Sequence, residues 1–160
     1  HESVLEHFSI GVKFIVDRAM SHELVRHRHT AISQESSRYC SYNQDRFDNQ
    51  ITFTDFPDHL DKGLRDEVKT YLEYVDVLYK KLKDKGVPND FARRILPLGT
   101  KTELVITANL REWRHILSIR TNKDVDKMLR PLMLDLLETF KILQPVIFDD
   151  IYDKQMIWGD

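Results

Sequence analysis

Cysteine is almost absent from this 160-residue chain. The one thiol, Cys40, excludes an internal disulfide framework and any zinc site built from several cysteines, and it suits a reducing compartment. Glycine is scarce as well: five scattered residues leave no Gly-rich loop to cradle phosphates. No apolar run approaches membrane-spanning length, and no charged start followed by an apolar stretch marks a signal peptide. The expected location is therefore the cytoplasm, with no membrane as partner. An excess of positive charge is also missing. At a formal net charge of -2 the chain has no long-range attraction for nucleic acid or anionic lipid, so any anion site must be local. Position 1 holds His1 where a gene product would begin with Met, which points to a chain that starts inside a longer one.

What is present is enough apolar surface, 41% of the residues, to close one substantial core, and the expectation is a single domain over 1–160. Residues 8–16, FSIGVKFIV, place Phe8, Ile10, Val12, Phe14 and Val16 at alternate positions, the period of a half-buried strand. From Arg18 to about His27 the residues favour a helix, and TAISQESS then reads as a strand or extended loop. After the polar stretch YNQDRFDNQ, a short strand is expected at ITFTDF. Leu60, Leu64, Val68, Leu72, Val75, Leu78 and Leu82 form one stripe of a long helix over 59–86, stopped near Gly86 and Pro88. Asn89 or Asp90 can cap a short helix through FARRIL, and TELVITANL is a further strand. Asn109, with Glu112 three residues on, has the form of a helix start leading through REWRHILSIR. A last helix covers about 124–143, kinked or divided at Pro131. The elements do not alternate regularly. The predicted fold class is α+β, a mainly antiparallel sheet flanked by helices, one of them long.

Charge is concentrated in one place. Between Leu24 and Tyr39 three arginines stand against one glutamate, which leaves -4 on the remainder. Arginine presents a planar fork that matches phosphate or carboxylate oxygens, and histidine donates to the same oxygens without a fixed charge. If Arg26 to Arg28 are extended, Arg26 and Arg28 point to one face and His27 to the other. Ser33, Gln34, Ser36 and Ser37 add short neutral polar groups. The same cluster reads equally as a solvated segment whose arginines pair with nearby carboxylates. A second cluster lies on the helix after Asn109, where Arg111 and His115 share a face and Arg120 closes the last turn. Arg120 there can serve only the helix dipole, Asn109 only the cap, and His115 only packing.

Other chemistries fit less well. The seven histidines make no HExxH pattern and Cys40 lacks a CxxC partner, so no metal site is predicted. Cys40 or Ser36 as nucleophile would need a base beside it, and closeness in sequence is poor evidence for one.

Arg26-His27-Arg28, then seven residues, then Ser36, resembles the signature of the flavin-dependent thymidylate synthases. HESVLEH at 1–7, SHELVRHR, SQESSRYC, ARRILP and TANLREWRHILSIR are similar to the family's segments in the same order, from His1 to about Phe140. The resemblance implies an α+β homotetramer with active sites where subunits meet. The implied reaction is reductive methylation of dUMP to dTMP, with methylenetetrahydrofolate as carbon donor and FAD reduced by NADPH as hydride source. It implies a nucleotide site of Glu23, Arg26, Gln34, Glu35, Ser36, Ser37, Arg38, Arg93 and Arg120. Arg38 is then a phosphate ligand, and Arg120 the catalytic arginine that favours the ionised uracil. Arg94 beside Arg93 leaves that register open by one. For FAD it implies Ser3 from a neighbouring subunit, Arg26, His27, Arg28, Asn109, Leu110, Arg111 and His115. It also implies an N-terminal portion that this chain lacks.

Two other readings use the same residues. A non-catalytic nucleotide- or RNA-binding module would interleave aromatic rings with the arginines, and only Tyr39 and Tyr42 are near, so no nucleic acid polymer is expected as partner. A structural or assembly protein would associate through the long helix and leave Arg26, Arg38 and Arg120 scattered and exposed.

Overall fold

The computed structural model describes residues 1–44, 48 and 50–156; part of the polar stretch YNQDRFDNQ, at 45–47 and 49, lies outside them. The architecture is mixed helix and antiparallel sheet. A 3-10 helix, Glu2–His7, leads into β1 (Ser9–Asp17), α1 (Arg18–Leu24) and β2 (Ala31–Gln34). The long α2 (Lys62–Asp84) follows, then α3 (Asn89–Ala92), a 3-10 turn at Arg93–Ile95, β3 (Lys101–Asn109), α4 (Leu110–Arg120), α5 (Leu129–Leu143) and α6 (Pro145–Met156). The strands pair in the order β1-β3-β2. In β1 the period-two pattern is realised at Phe14 and Val16, which are buried while Ile15 between them is exposed. Gly11 faces Thr107 across the pair: a Cβ there would meet Thr107 Oγ1 at 3.1 Å.

The chain divides into two compact units, one of residues 1–13, 22–32 and 105–160, the other of residues 14–21 and 33–104. In the first, α4, α5 and α6 pack on one another. Trp113 is its centre, fully buried, with its indole N–H donating to the Ile10 carbonyl at 3.0 Å and its ring 5.3 Å from Phe140. Phe148 of α6 continues the edge-to-face series at 5.2 Å from Phe140. In the second unit Tyr42, Ile51, Tyr79 and Ala92 form a core, with Phe53, Leu82 and Leu96 against it.

Several boundaries differ from the sequence pattern for physical reasons. The first helix stops at Leu24, three residues before His27, because the His27 N–H turns back to the Leu24 carbonyl. ITFTDF forms one bridge, Phe53 with Thr100, and no strand. α3 has Pro88, not Asn89 or Asp90, at its cap, and no side chain accepts there. Pro131 neither kinks nor divides α5, since it sits in the first turn, where a missing N–H costs nothing. The stripe of α2 is buried within the chain only at Val75; Leu64 stays exposed. α6 had no counterpart in the pattern.

Candidate functional site

The first unit holds six of the seven histidines, together with Arg26, Arg28, Arg111, Arg114 and Arg120. α4 begins as the sequence implies: Asn109 Oδ1 accepts from the Glu112 N–H at 2.9 Å, which fixes the rotation of the helix. Its last turn then delivers Arg120 onto the end of α1. There the guanidinium donates from Nε to His27 Nε2 at 2.9 Å, from Nη2 to the Glu23 carbonyl at 2.7 Å, and from Nη1 to the Glu23 carboxylate. His27 is buried between two exposed arginines, Arg26 and Arg28, but in a turn and bend and not in the extended segment on which the expected alternation depended. Neither arginine has an ion pair to a described residue.

Accepting from Arg120 fixes the His27 tautomer, with Nε2 unprotonated and the proton on Nδ1. Burial, then the Arg120 charge, then His115 pull its pKa down to about 4, so the imidazole is neutral at neutral pH. His115 stands edge-on to it with ring centroids 6.1 Å apart. Ligand atoms of His27, Glu112 and His115 lie within 4.8 Å of one another, a donor set that a transition metal can take. With Nε2 engaged and Nδ1 protonated, however, His27 has no lone pair free until Arg120 withdraws, and the fixed cation beside it favours an anion.

A cavity of about 920 Å³ opens along the outer face of α4, lined by Asn109, Arg111 and His115, by His29, and by Lys154 and Gln155 of α6. Arg111 is exposed and held by the Glu2 and Glu6 carboxylates. Arg114 forks onto both oxygens of Asp150, at 2.7 and 2.6 Å, and holds Asp150 below the usual carboxylate range. Ser3 is exposed on the 3-10 helix, and Leu110 is a buried packing residue at the start of α4. Of the residues that line this cavity, the sequence reading missed His29 and Arg114. His29 falls among the seven spacer residues of the signature and Arg114 inside TANLREWRHILSIR, but α6, which completes the cavity, had no signal that tied it to α4.

The second unit holds six of the nine expected nucleotide residues. Gln34 Nε2 donates to Ser21 Oγ at 3.0 Å and Thr102 Oγ1 at 3.3 Å. Ser36 heads a tight turn whose carbonyl accepts from the Tyr39 and Cys40 amides at 3.0 and 2.9 Å. Ser37 is buried under it, and Arg38 is exposed with its guanidinium 5.5 Å from the Tyr39 ring. The Glu35 carboxylate points inward, accepting from Tyr42 Oη at 3.0 Å with Lys101 Nζ 3.9 Å away. Arg93 and Arg94 are both exposed and neither has an ion pair to a described residue, while Arg94 stacks over Phe91 at 5.8 Å.

The mixed helix and antiparallel-sheet frame is a known class of fold. Two solved structures of the flavin-dependent thymidylate synthase ThyX from Helicobacter pylori, described as complexed with FAD and dUMP, share it at TM-scores of 0.71 and 0.72 and 24% identity. They cover 94% and 95% of this chain and 76% of theirs. Among curated proteins, the flavin-dependent thymidylate synthase of Geobacter sulfurreducens is 34% identical over 154 residues. That of Mycobacterium tuberculosis is 33% identical over 163. Each covers 94% of this chain, and the chain spans 64% of their length. Residues 1–146 match the model of the family described as thymidylate synthase complementing protein, Thy1, and the chain belongs to that family.

Proposed function

We propose that the chain carries flavin-dependent thymidylate synthase activity, the reductive methylation of dUMP to dTMP, as a homotetramer in the cytoplasm. The observation that carries it is the Arg120 constellation: a fixed cation aligned on α4 by Glu23 and a neutral His27, at the place where the family signature RHR begins. No described helix is long and apolar enough to cross a membrane.

The residues suit the ligands. FAD needs donors for a pyrophosphate and a wall for its rings. The cavity on α4 offers Arg111, His115, Asn109 and the neighbouring His27, with Arg26, Arg28 and Ser3 as further contacts. When bound, reduced FAD supplies the hydride, with NADPH as its reductant and methylenetetrahydrofolate as the carbon source. The protein's part is binding and electrostatics. Arg120 offsets negative charge that develops on the uracil ring, as a fixed cation does for any nearby acid. Glu23 orients that guanidinium, and Arg26 borders both ligands. Ser36, Ser37 and Arg38 receive the nucleotide phosphate, with Gln34 and Arg93 as further donors. No protein nucleophile is required, and Cys40 stays a free thiol without an assigned role.

The test is a visible spectrum of the protein after FAD is added and unbound flavin removed, with and without dUMP, followed by assay of dTMP formation. Retained flavin whose spectrum changes with dUMP, and dTMP that depends on NADPH and methylenetetrahydrofolate, are expected. Retention without any response to dUMP overturns the shared site.

A further inference from the structure

Glu35 falls in the segment assigned to the nucleotide, yet its surroundings give it a different part. Its carboxylate is 11% exposed and is directed into the second unit. Tyr42 Oη donates to Oε1 at 3.0 Å, and Lys101 Nζ lies 3.9 Å from Oε2 while also pairing with Glu103. The main chain of Glu35 is engaged as well. Its N–H donates to the Glu103 carbonyl of β3 at 2.8 Å, and its carbonyl accepts from Arg18 Nη2 at 3.4 Å. Tyr42 is equally fixed, buried at 4% exposure with its ring 5.9 Å from that of Tyr79. These two residues stand on either side of the turn that bears Ser36 and Arg38, and their hydrogen bond closes its base.

We propose that Glu35 is a positioning residue, which with Tyr42 forms a brace across the base of the Ser36–Ser41 segment and does not itself touch the nucleotide. The inference rests on the nucleotide reading of Ser36 and Arg38. A turn exposed on its outer side, with Arg38 and Tyr39 both facing solvent, keeps its phosphate donors in place only if its two ends are held. The brace supplies that with a charged acceptor, which is stronger than a neutral pair. Burial pushes the Tyr42 phenol up to about 12, so it remains a donor throughout the working pH range. Releasing the brace lowers the fraction of chains with a competent turn, and apparent affinity falls by that fraction.

The experiment compares wild type with Tyr42→Phe, Glu35→Ala and Glu35→Gln. It measures dUMP affinity on the FAD-loaded protein, FAD affinity, and hydrogen exchange at the Tyr39 and Cys40 amides. Phe keeps the packed ring and removes the hydroxyl, with its contacts to Glu35 and Arg18, while Gln keeps an acceptor. Tyr42→Phe and Glu35→Ala are each expected to weaken dUMP about ten-fold, to speed exchange at both amides and to leave FAD affinity unchanged, with Glu35→Gln close to wild type. The combined variant should be no weaker than either single one. Loss of dUMP affinity in Glu35→Ala with Tyr42→Phe like wild type overturns the brace and makes Glu35 a direct contact. Unchanged affinity and exchange in both overturn it outright. A wild type that binds FAD but no dUMP defeats the nucleotide reading instead; the exchange rates still decide the brace, and unaltered rates defeat it too.

Discussion

Replacing Arg120 by Ala should separate the electrostatic work of the site from its structural work. The guanidinium makes three interactions, to His27 Nε2, to the Glu23 carbonyl and to the Glu23 carboxylate, from a side chain only 12% exposed. Partly buried hydrogen bonds are worth about 0.5–1.5 kcal/mol each. The carboxylate contact counts for little because Glu23 is 45% exposed and water replaces the lost partner. The stability cost is then about 1–3 kcal/mol, which at roughly 2–4 °C per kcal/mol for a chain of this size lowers the melting point by about 2–12 °C. The variant stays folded at 25 °C. Turnover should suffer far more, since losing a group aimed at developing charge costs about 10²–10³-fold. A third reading is the His27 imidazole followed by NMR: with the neighbouring cation gone its pKa should rise above about 4, while burial still holds it under the ordinary 6.5. Thermal melting, dTMP formation at saturating FAD and the NMR titration together decide the matter. An unchanged melting point with unchanged turnover refutes the assignment. An unchanged His27 titration refutes the geometry on which it rests.

The remaining predictions concern acid stability, the helix cap, a turn, the core and the thiol. His27 titrates lower in the folded chain than in the unfolded one, so the unfolded state takes the proton first. Its stabilisation is complete above about pH 6.5 and is lost as pH falls toward 4, about 3 kcal/mol in all; urea unfolding at pH 7.5 and 4.5 should show that loss and His27→Asn should reduce it. Asn109→Ser retains a cap acceptor and Asn109→Ala does not, so Ala should cost about 1 kcal/mol more in a thermal melt, while FAD loss in both would mark a separate cofactor role. Gly86 has φ 78°, and Gly86→Ala should destabilise by about 1 kcal/mol where Gly86→Asn costs less, measured by chemical denaturation. Phe148→Ala removes a fully buried ring against Phe140 and should cost about 3–5 kcal/mol in the same assay. Cys40→Ala should leave turnover intact, and its complete loss in a folded protein would restore the thiol mechanism.

Period and punctuation made most of the fold legible. Alternation in FSIGVKFIV, the three-and-four spacing of α2, the Asn109 cap and the Gly86 stop all report local physics, and each appears where the spacing puts it. What local pattern could not report is which faces are covered. Leu64 and Val75 belong to one stripe and have opposite fates, and it is the second half of α2 that carries Tyr79 and Leu82 to the core around Tyr42. α6 was illegible for a related reason: its spacing is weakly one-sided, and Phe148 and Ile151 become core only through α4 and α5. In the site, the residue types were readable and their hydrogen bonds were not. The sequence offers Glu23, His27 and Arg120 at separations of 4 and 93 residues, and nothing short of the fold joins them into one clamp.

That clamp also answers how a chain of net charge -2 can hold a basic site. The arginines of α4 are not left bare: Arg120 is met by Glu23, Arg111 by Glu2 and Glu6, and Arg114 by Asp150. Each of these carboxylates is mostly or substantially exposed, so its pairing is weak in net energy and readily exchanged. A guanidinium held by such a partner is already oriented, and most of the side-chain entropy of ordering it has been lost before an anion arrives. An incoming anion then exchanges one oxygen acceptor for another. Arg26 and Arg28 within the signature, and Arg38 just beyond it, are exposed and have no ion pair to a described residue. Three of the arginines without such a partner thereby fall within 26–38 of the sequence, and the bulk charge of the protein has little bearing on them.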